Sequence, residues 1–442
     1  MSLLRRWFDP IRSSWFYQKP SRQAVLPTDQ GLQIYLRLDD VYSYLAVQQL
    51  NHLDDILSDE LKPLKVIISR EAAAPPNSMS HADWQNYCLN DAKILARQHR
   101  FSFDETPELP TPESLQQAEV ILRNTPLTGK DFLYLLEDVF HMLWQQQYGK
   151  LRTLYTMASQ QHSPQNFPER IFKDVPVAAS FFEFGGRNYH AVDDLLRLAR
   201  RLRQQKLLTG APLFLINHIE WREHLINDAE ELAQIQALKP ELDLFIALED
   251  PISWLLLAYI REELANYYDI KLNVYPLPYQ GRDWFDWSLA TRLSKRTEVA
   301  FTPFCRPTEA ATHNMAQLYY SVPEEQQIET IHCILEAVWT KGRDLSFKAH
   351  FEALRQQLRI DSLLPEDEVL QRLNHNDQAC IAHHQPDFPV LALRIDGQQY
   401  VFNSLYRVWL IESIFSHVLE QQYKHDAVVS FAQSSGASKN EL

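Results

Sequence analysis

Cysteine is scarce in this chain. Only four occur in 442 residues, and no two of them are close in sequence: Cys88, Cys305, Cys333 and Cys380. This spacing matches neither the dense framework of a disulfide-stapled domain nor the short pairs of a zinc site, so neither is expected. We predict a reducing, cytoplasmic location. Cys88 and Cys333 fall on amphipathic helical patterns and are expected to be small core residues.

Positive charge is also in short supply. The chain has 43 basic against 57 acidic side chains, a net charge of -14. Such a chain would repel a phosphate backbone unless its basic residues were clustered, so nucleic acid is not an expected partner. The densest basic stretch, 197–206, alternates with leucines at helical spacing and is interpreted as the solvated face of an amphipathic helix.

Long apolar runs are missing. The longest candidate, 252–260, is followed at once by Arg261, Glu262 and Glu263, so no membrane-spanning helix is predicted. Residues 1–20 lack the continuous apolar core and small-residue cleavage site of a signal peptide. No Gly-x-Ser-x-Gly elbow, P-loop lysine or dinucleotide fingerprint is present. The sequence therefore predicts a soluble protein and excludes several common enzyme classes.

An internal repeat is present. Residues 32–40 alternate in a β-prone pattern that ends in two acids, and residues 242–250 repeat this pattern before a second helix-like stretch. Further strands are predicted at 64–69 and 271–275, each reached through a helix, which makes a βαβ unit in each copy. With 45% hydrophobic residues, a chain of this length is expected to form two domains.

The ends of the two copies are less alike. Each is predicted to finish with an apolar strand entered through proline, at Pro212 and at Pro389. The first copy is longer before its proline, and we interpret its segment 182–189, with Gly185-Gly186, as an inserted loop. The predicted organisation is an N-terminal extension, a first domain, an acidic linker, a second domain and a tail, at 1–30, 31–228, 229–240, 241–418 and 419–442.

One motif ties the chain to a family. The run from Asp250 to Leu255, Asp-Pro-Ile-Ser-Trp-Leu after a strand, resembles the Ser-Pro-Tyr-Ser-Trp-Leu of kappa-class glutathione transferases and 2-hydroxychromene-2-carboxylate isomerases. The run from Asp40 to Leu45 is similar. Residues 338–345 resemble that family's Trp-x-x-Gly-Arg-Asp-Ile helix end, and Phe388-Pro389 its cis-proline strand.

The resemblance implies an α/β fold of two DsbA-like thioredoxin domains, each with a helical insertion. They would pack as a pseudo-dimer within one chain, or the chain would form a homo-oligomer. It also implies isomerase or transferase ancestry and a ligand such as glutathione or another small thiol or carboxylate, with no other cofactor. The implied ligand-binding positions are Tyr42, Ser43, Pro212, Ser253, Trp254, Phe388, Pro389, Asn403 and Ser404.

Several of these residues have a structural alternative. Pro212 and Pro389 are the candidates for the cis-proline, which turns the preceding backbone toward a ligand. Asn403 and Ser404 are placed by the resemblance near the glutathione γ-glutamyl group, but they also suit an N-cap of an apolar helix at 405–414. Tyr42 and Trp254 also fit core aromatics.

The catalytic position is changed in both copies. Thioredoxin-type oxidoreductases carry Cys-x-x-Cys at the start of the first helix, where the dipole stabilises a thiolate. Neither copy has cysteine there, and the serine used by the transferases and isomerases aligns with Asp40 and Asp250. A carboxylate about 4 Å from a thiolate repels it by roughly 1–4 kcal/mol, so thiolate activation is not expected.

Three roles remain open for these aspartates. They suit helix N-caps. They could also transfer protons as catalytic acids, with Ser43 or Ser253 holding the substrate. The third role is cation binding by the acid pairs that end each strand, 39–40 and 249–250. The competing functional class is a non-catalytic binding or assembly protein that kept the fold and lost both nucleophiles.

Overall fold

The computed structural model describes residues 31–72, 80–99, 101–103, 108–160, 170–173, 180–210, 224–281, 287–302, 306–383, 389–403 and 407–422. These residues fall into two compact units, the first ending before residue 218 and the second beginning there. The first unit is thus described from residue 31 to 210 and the second from residue 224 to 422.

The first unit alternates strands and helices and then turns back through a hairpin. Its elements are, in order, β1 Gln33–Arg37, α1 Val41–Ile56, a 3-10 turn Asp59–Leu61, β2 Lys65–Ser69, α2 His81–His99, α3 Pro112–Asn124, α4 Gly129–Trp144, α5 Tyr148–Ser159, β3 Arg170–Lys173, β4 Phe181–Phe184, β5 Arg187–His190 and α6 Leu195–Gln204.

The sheet of the first unit has the order β3-β2-β1-β4-β5. β1 runs parallel to β2, which the predicted βαβ connection requires, and β2 runs parallel to β3. β4 and β5 complete the sheet as antiparallel strands. The basic stretch predicted as a solvated helix face is α6, whose leucines Leu195, Leu198 and Leu202 are buried.

The segment interpreted as an inserted loop, 182–189, is instead the β4–β5 hairpin, so that prediction was wrong. Gly185 and Gly186 both adopt positive φ, 59° and 68°, as a tight two-residue hairpin turn requires. Phe182, Phe184 and Tyr189 are buried around this turn. β4 lies beside β1 in the first sheet, in the position that strand Val390–Ile395 holds beside strand Glu241–Ile246 in the second. Pro212 and the strand predicted after it lie outside the described residues.

The second unit repeats the strand-helix-strand start and the closing hairpin of the first, but among its described residues it has five helices between them and no counterpart of β3. Its elements are α7 Ala229–Ala237, β6 Glu241–Ile246, α8 Pro251–Tyr259, a π-helical segment Ile260–Ala265 that continues into Asn266–Tyr268, β7 Lys271–Pro276, α9 Trp287–Thr297, α10 Glu309–Tyr320, α11 Glu324–Trp339, α12 Lys348–Gln357, α13 Glu366–Ile381, β8 Val390–Ile395, β9 Gln398–Asn403 and α14 410–422.

The sheet of the second unit has the order β7-β6-β8-β9. β7 is parallel to β6, and β8 and β9 are antiparallel to their neighbours, as in the first sheet without β3. Tyr35 pairs with Phe181 in the first sheet and Phe245 pairs with Val390 in the second. Because the repeat aligns Tyr35 with Phe245, the residue before β4, Ser180, corresponds to Pro389.

The outer edges of β2 and β7, the second strand of each unit, are covered in different ways. In the first unit β3 pairs along Val66–Ser69 of β2. At the corresponding edge of β7, side chains take the place of a strand: the Tyr319 hydroxyl donates to Val274 O at 2.6 Å, and Asn376 Nδ2 donates to Pro276 O at 2.9 Å. This edge is therefore covered by α10 and α13.

The π-helical segment after α8 is followed by a cluster of rings. Tyr268 donates its hydroxyl to Glu412 of α14 at 2.6 Å, and His224 Nδ1 lies 2.8 Å from the same carboxylate oxygen. The His224 ring stacks on Tyr267 with centroids 3.7 Å apart. These contacts fasten the first described residues of the second unit to its body.

The predicted helix 405–414 is placed later than expected. Residues 407–409 form a turn and the helix runs from 410 to 422. Asn403 is the last residue of β9 and is not the N-cap of this helix, so that part of the prediction was wrong. No helix among the described residues is long and apolar enough to cross a membrane.

Candidate functional site

Asp40 is the N-cap of α1, as the first of its three possible roles predicts. Its Oδ2 accepts from Ser43 N at 2.8 Å and from Ser43 Oγ at 2.6 Å. A third donor comes from the residue directly before the neighbouring strand β4, since Ser180 N lies 3.1 Å from the same oxygen. Asp40 is 5% exposed and Ser180 is fully buried, so this carboxylate is bonded inside the first unit.

Burial raises the pKa of Asp40 above its ordinary value. The hydrogen bonds from Ser43 and the charges of Arg37 and His190 act in the opposite direction but do not cancel this effect. Arg37 is itself buried and donates through Nε to Asp39 Oδ1 at 2.9 Å. The acid pair at the end of β1 is therefore balanced by Arg37 from the same strand, which leaves little reason for it to bind a cation.

A second polar contact lies beside this cap. The Tyr42 hydroxyl donates to Asp91 Oδ2 of α2 at 2.6 Å, and both residues are buried. Burial, together with the charges of Asp40 and Asp91, raises the pKa of the Cys88 thiol. A buried thiol held in its protonated form is a poor nucleophile, so Cys88 is a core residue, as predicted.

Asp250 is the N-cap of α8 in the second unit. Its Oδ1 accepts from Ile252 N at 3.1 Å, and its Oδ2 accepts from Ser253 N at 3.3 Å and Ser253 Oγ at 3.2 Å. Pro251 occupies the first turn, where a missing N–H is tolerated. The predicted capping role therefore holds in both units.

The surroundings of Asp250 differ from those of Asp40. Its neighbour Glu249 is 1% exposed and accepts from Gln280 N at 2.7 Å, whereas Asp39 is paired with Arg37. The repeat places Ala247 where the first unit has Arg37. Pro389, buried at the start of β8, has no N–H and cannot make the bond that Ser180 makes to Asp40.

The aromatic residues of the motif lie in the core, in agreement with the structural alternative. Trp254 is 2% exposed and donates its indole N–H to Ala300 O at 3.0 Å. Its ring lies 5.1 Å from that of His332, whose pKa burial lowers. Tyr42 is 4% exposed. Neither ring presents an open platform for a substrate.

The structure brings together only part of the predicted site. Ser43 and Ser253 are fully buried and each is bonded to its capping aspartate. Pro389 lies at the start of β8, beside the strand that leads to Asp250. Nothing is described of the Asn403 side chain. Pro212, Phe388 and Ser404 lie outside the described residues.

Sequence reasoning missed two groups at the first site. Ser180 is 140 residues from Asp40 and donates to it only because β4 lies beside β1. The alternation around Gly185-Gly186 would have located this hairpin and hence Ser180. Asp91 had no local signal, because its partner Tyr42 lies on another helix.

Metal binding has little support from the arrangement. Within the described ranges, no group of three or more His, Cys, Asp or Glu side chains is placed to hold a metal ion. The capping carboxylates are hydrogen-bond acceptors, so they could receive a proton donor such as a neutral thiol. They could not donate a hydrogen bond to a thiolate while ionised.

The chain matches no protein-family model and no curated protein sequence. Among solved structures it is similar to a Nitrosomonas europaea protein for which protein disulfide isomerase is the suggested activity, with 18% identity, 40% of this chain and 99% of that chain covered, and a TM-score of 0.31. It is also similar to 2-hydroxychromene-2-carboxylate isomerase, with 15% identity, 42% and 98% coverage, and a TM-score of 0.32.

A third similar structure is the cytosolic disulfide reductase DsbM from Pseudomonas aeruginosa, with 13% identity, 42% and 98% coverage, and a TM-score of 0.31. DsbM has also been solved with GSH. Each of these three structures is covered almost completely by about 40% of this chain.

Proposed function

We propose that this chain is a tandem DsbA-like thioredoxin protein that binds glutathione, or a similar small thiol or carboxylate, without exchanging disulfides. The observation that carries the proposal is the pair of buried N-cap aspartates, Asp40 and Asp250, at the helix start where such proteins hold their reactive residue. Isomerase or transferase ancestry follows from the motif, and the active site has lost its nucleophile in both units.

The chemistry of these aspartates favours binding over thiol activation. A thioredoxin-type site lowers a thiol pKa with the helix dipole and backbone N–H groups. In both units the cap carboxylate already accepts these N–H groups and adds a negative charge. A thiol ligand would therefore stay protonated and donate its S–H in a weak hydrogen bond. It would not become the thiolate that nucleophilic attack requires.

The second unit is the better candidate for the ligand site. In the first unit the backbone N–H of Ser180 is directed at Asp40, so the gap between β4 and α1 is bridged by a hydrogen bond. In the second unit the corresponding residue, Pro389, cannot make this bond. The motif from Asp250 to Leu255 is also closer to the transferase pattern than its counterpart in the first unit.

A second candidate function is a non-catalytic binding or assembly protein that uses neither helix start. The observation that favours it is that Asp40 Oδ2 already accepts three donors from the chain itself. A site whose polar atoms are bonded internally gains little from a polar ligand, because each new bond replaces an existing one.

Glutathione titration separates the two candidates. The full chain is titrated with reduced glutathione into the millimolar range, with intrinsic tryptophan fluorescence and thermal shift as readouts. Trp254 and Trp339 are the buried reporters near the second site. We expect saturable binding that Pro389→Ala abolishes and Ser180→Ala leaves intact. Absence of any response in wild type at millimolar thiol would favour the second candidate.

Asp250→Ser tests whether the aspartate disables the site. Removing the carboxylate removes the repulsion on a thiolate, and serine restores a hydroxyl donor while remaining a good N-cap. We expect the variant to gain thiol-conjugating activity toward an electrophilic dye. Asp40→Ser is the matched change in the first unit and should gain none. Equal activity of both variants would contradict the assignment of the ligand site to the second unit.

A further inference from the structure

A groove of about 970 Å³ lies beside β7 in the second unit, away from Asp250. Its floor is formed by β7 and the end of α10, and its walls by the start of α11 and one face of α13. In the first unit the matching span of the sheet edge is occupied by β3, so the two units differ most clearly here.

The groove is not built to accept a peptide as an added strand. The edge carbonyls of Val274 and Pro276 already accept from Tyr319 and Asn376, and proline has no N–H to offer a new neighbour. Side-chain cover and proline are both devices that prevent edge pairing. An occupant must therefore bind through side chains.

Those side chains are aromatic and planar polar groups. Burial raises the pKa of Tyr320 to about 12 and also raises that of Tyr275, so both remain neutral phenols. Asn376 is 6% exposed and is fixed by a second bond, from its Nδ2 to the Tyr320 hydroxyl at 2.7 Å. The rim adds amides, including Gln327, and a guanidinium, Arg372.

The charges around the groove do not select an ion. Arg372 lies 5.3 Å from the centroid of the Tyr320 ring, and within the described part of the chain no carboxylate is within ion-pair distance of it. Glu324 and Glu368 are exposed at the rim, where they also lie in the first turns of α11 and α13 and favour those helices. Both signs of charge are thus available without being paired to each other.

We propose that this groove binds a small neutral polyhydroxylated ligand of the sugar class. Each hydroxyl of a sugar both donates and accepts, so it can use the amides, the guanidinium and the carboxylates together. The C–H face of a sugar ring suits the negative face of an aromatic ring such as Tyr275. Among the described residues that line the groove, Val274 and Val322 are the only aliphatic ones, which makes an apolar ligand a poor match.

The test is saturation-transfer-difference NMR on the full chain with maltose and cellobiose at millimolar concentration. We expect ring-proton signals for at least one disaccharide. Arg372→Ala should weaken this binding about tenfold, the loss of roughly one good polar contact. Lys348→Ala removes an exposed cation from α12 of the same unit and serves as the matched control.

Two outcomes would overturn the proposal. One is the absence of transfer to either disaccharide with folded wild-type protein, which circular dichroism verifies. The other is undiminished transfer in both Arg372→Ala and a second variant, Gln327→Ala, because the ligand would then bind elsewhere. Both variants change rim residues, so neither is expected to prevent folding.

Discussion

The two units use different residues at two equivalent places, the outer edge of the sheet and the residue before the returning strand. These differences leave the order of the shared strands unchanged but alter the groups that could contact a ligand. At the edge of the sheet, the first unit uses a strand, β3, where the second uses Tyr319 and Asn376. At the start of the returning strand, the first unit has Ser180 where the second has Pro389. In each case the sheet is preserved, while the groups left for a ligand change.

The comparison at the helix start leads to the same conclusion. Asp40 and Asp250 cap their helices in nearly the same way, each with a serine three residues later. Only Asp40 also receives the backbone N–H of Ser180. The aspartate cap is thus common to both units. The residue before the returning strand, Ser180 or Pro389, decides whether a hydrogen bond joins that strand to the cap.

The largest expected effect comes from the tryptophans that end α4 and α11. Trp144 and Trp339 are each 1% exposed, so replacing either with alanine should lower the free energy of unfolding by about 3–5 kcal/mol. Urea unfolding followed by far-UV circular dichroism measures this change. A loss much smaller in one unit would show that its core closes around the cavity.

Phenylalanine at these positions sharpens the comparison. Trp339 donates its indole N–H to Leu248 O at 3.3 Å, whereas Trp144 Nε1 has no hydrogen-bond partner among the residues the structure describes. Trp339→Phe should therefore destabilise by about 1 kcal/mol more than Trp144→Phe. The reverse order would contradict the assigned bond.

The next effect is expected at the bridge to Asp40. Ser180→Pro removes the N–H that donates to this buried carboxylate, and a hydrogen bond to a charged group contributes about 1.5–3 kcal/mol. Ser180→Ala keeps the N–H and removes a hydroxyl that has no partner within the described residues, so it should change stability little. Thermal unfolding measures the stability of both variants. Equal destabilisation would contradict a stabilising bond from Ser180 N–H to Asp40.

A smaller loss is expected at the edge of β7. Asn376→Ala leaves the buried carbonyl of Pro276 without its side-chain donor, which should cost about 1–3 kcal/mol. Asn374 is exposed on the same helix, so Asn374→Ala is the matched control and should have almost no effect. Denaturant unfolding measures the free energy of unfolding of both variants. An equal loss in the two would contradict the role of Asn376 in covering the edge of β7.

The smallest effect is a change in pH dependence. The pKa of Asp40 is raised on folding, so its contribution to stability is fully present below its ordinary value of 3.8 and is lost as pH rises through the folded pKa. Asp40→Asn removes this loss and can still cap the helix. We therefore expect the variant to gain stability relative to wild type as pH rises from acid to neutral.

Thermal unfolding over that pH range gives the measurement. Ser43→Ala is a useful companion, since it removes a hydrogen bond that lowers the pKa of Asp40 and should extend the loss to higher pH. Parallel stability profiles for wild type and Asp40→Asn would refute the raised pKa.

The parts of the fold that were predictable from sequence are those with local signals. β1, β6 and the helices after them follow from alternation that ends in an acid pair, and an aspartate directly before a helical pattern predicts the N-caps. The parallel strands β2 and β7 follow from the helical connections before them.

The rest depended on contacts distant in sequence. β3 is four residues long, too short for its alternation to stand out, and is held by pairing with β2. The hairpin around Gly185-Gly186 has short strands, and its place in the sheet is set by the pairing of β4 with β1, which is distant in sequence. The bond from Ser180 to Asp40 appears only when strand order is known.

The π-helical segment Ile260–Ala265 has a consequence for helical phase. A π turn adds a residue to a helix and rotates everything after it by about 100° relative to an uninterrupted α-helix. That rotation sets the direction in which Tyr267 and Tyr268 leave the helix, toward His224 and Glu412. The uninterrupted α1 has no such phase shift, so the two units differ here in the phase of the helix as well as in the side chains that it carries.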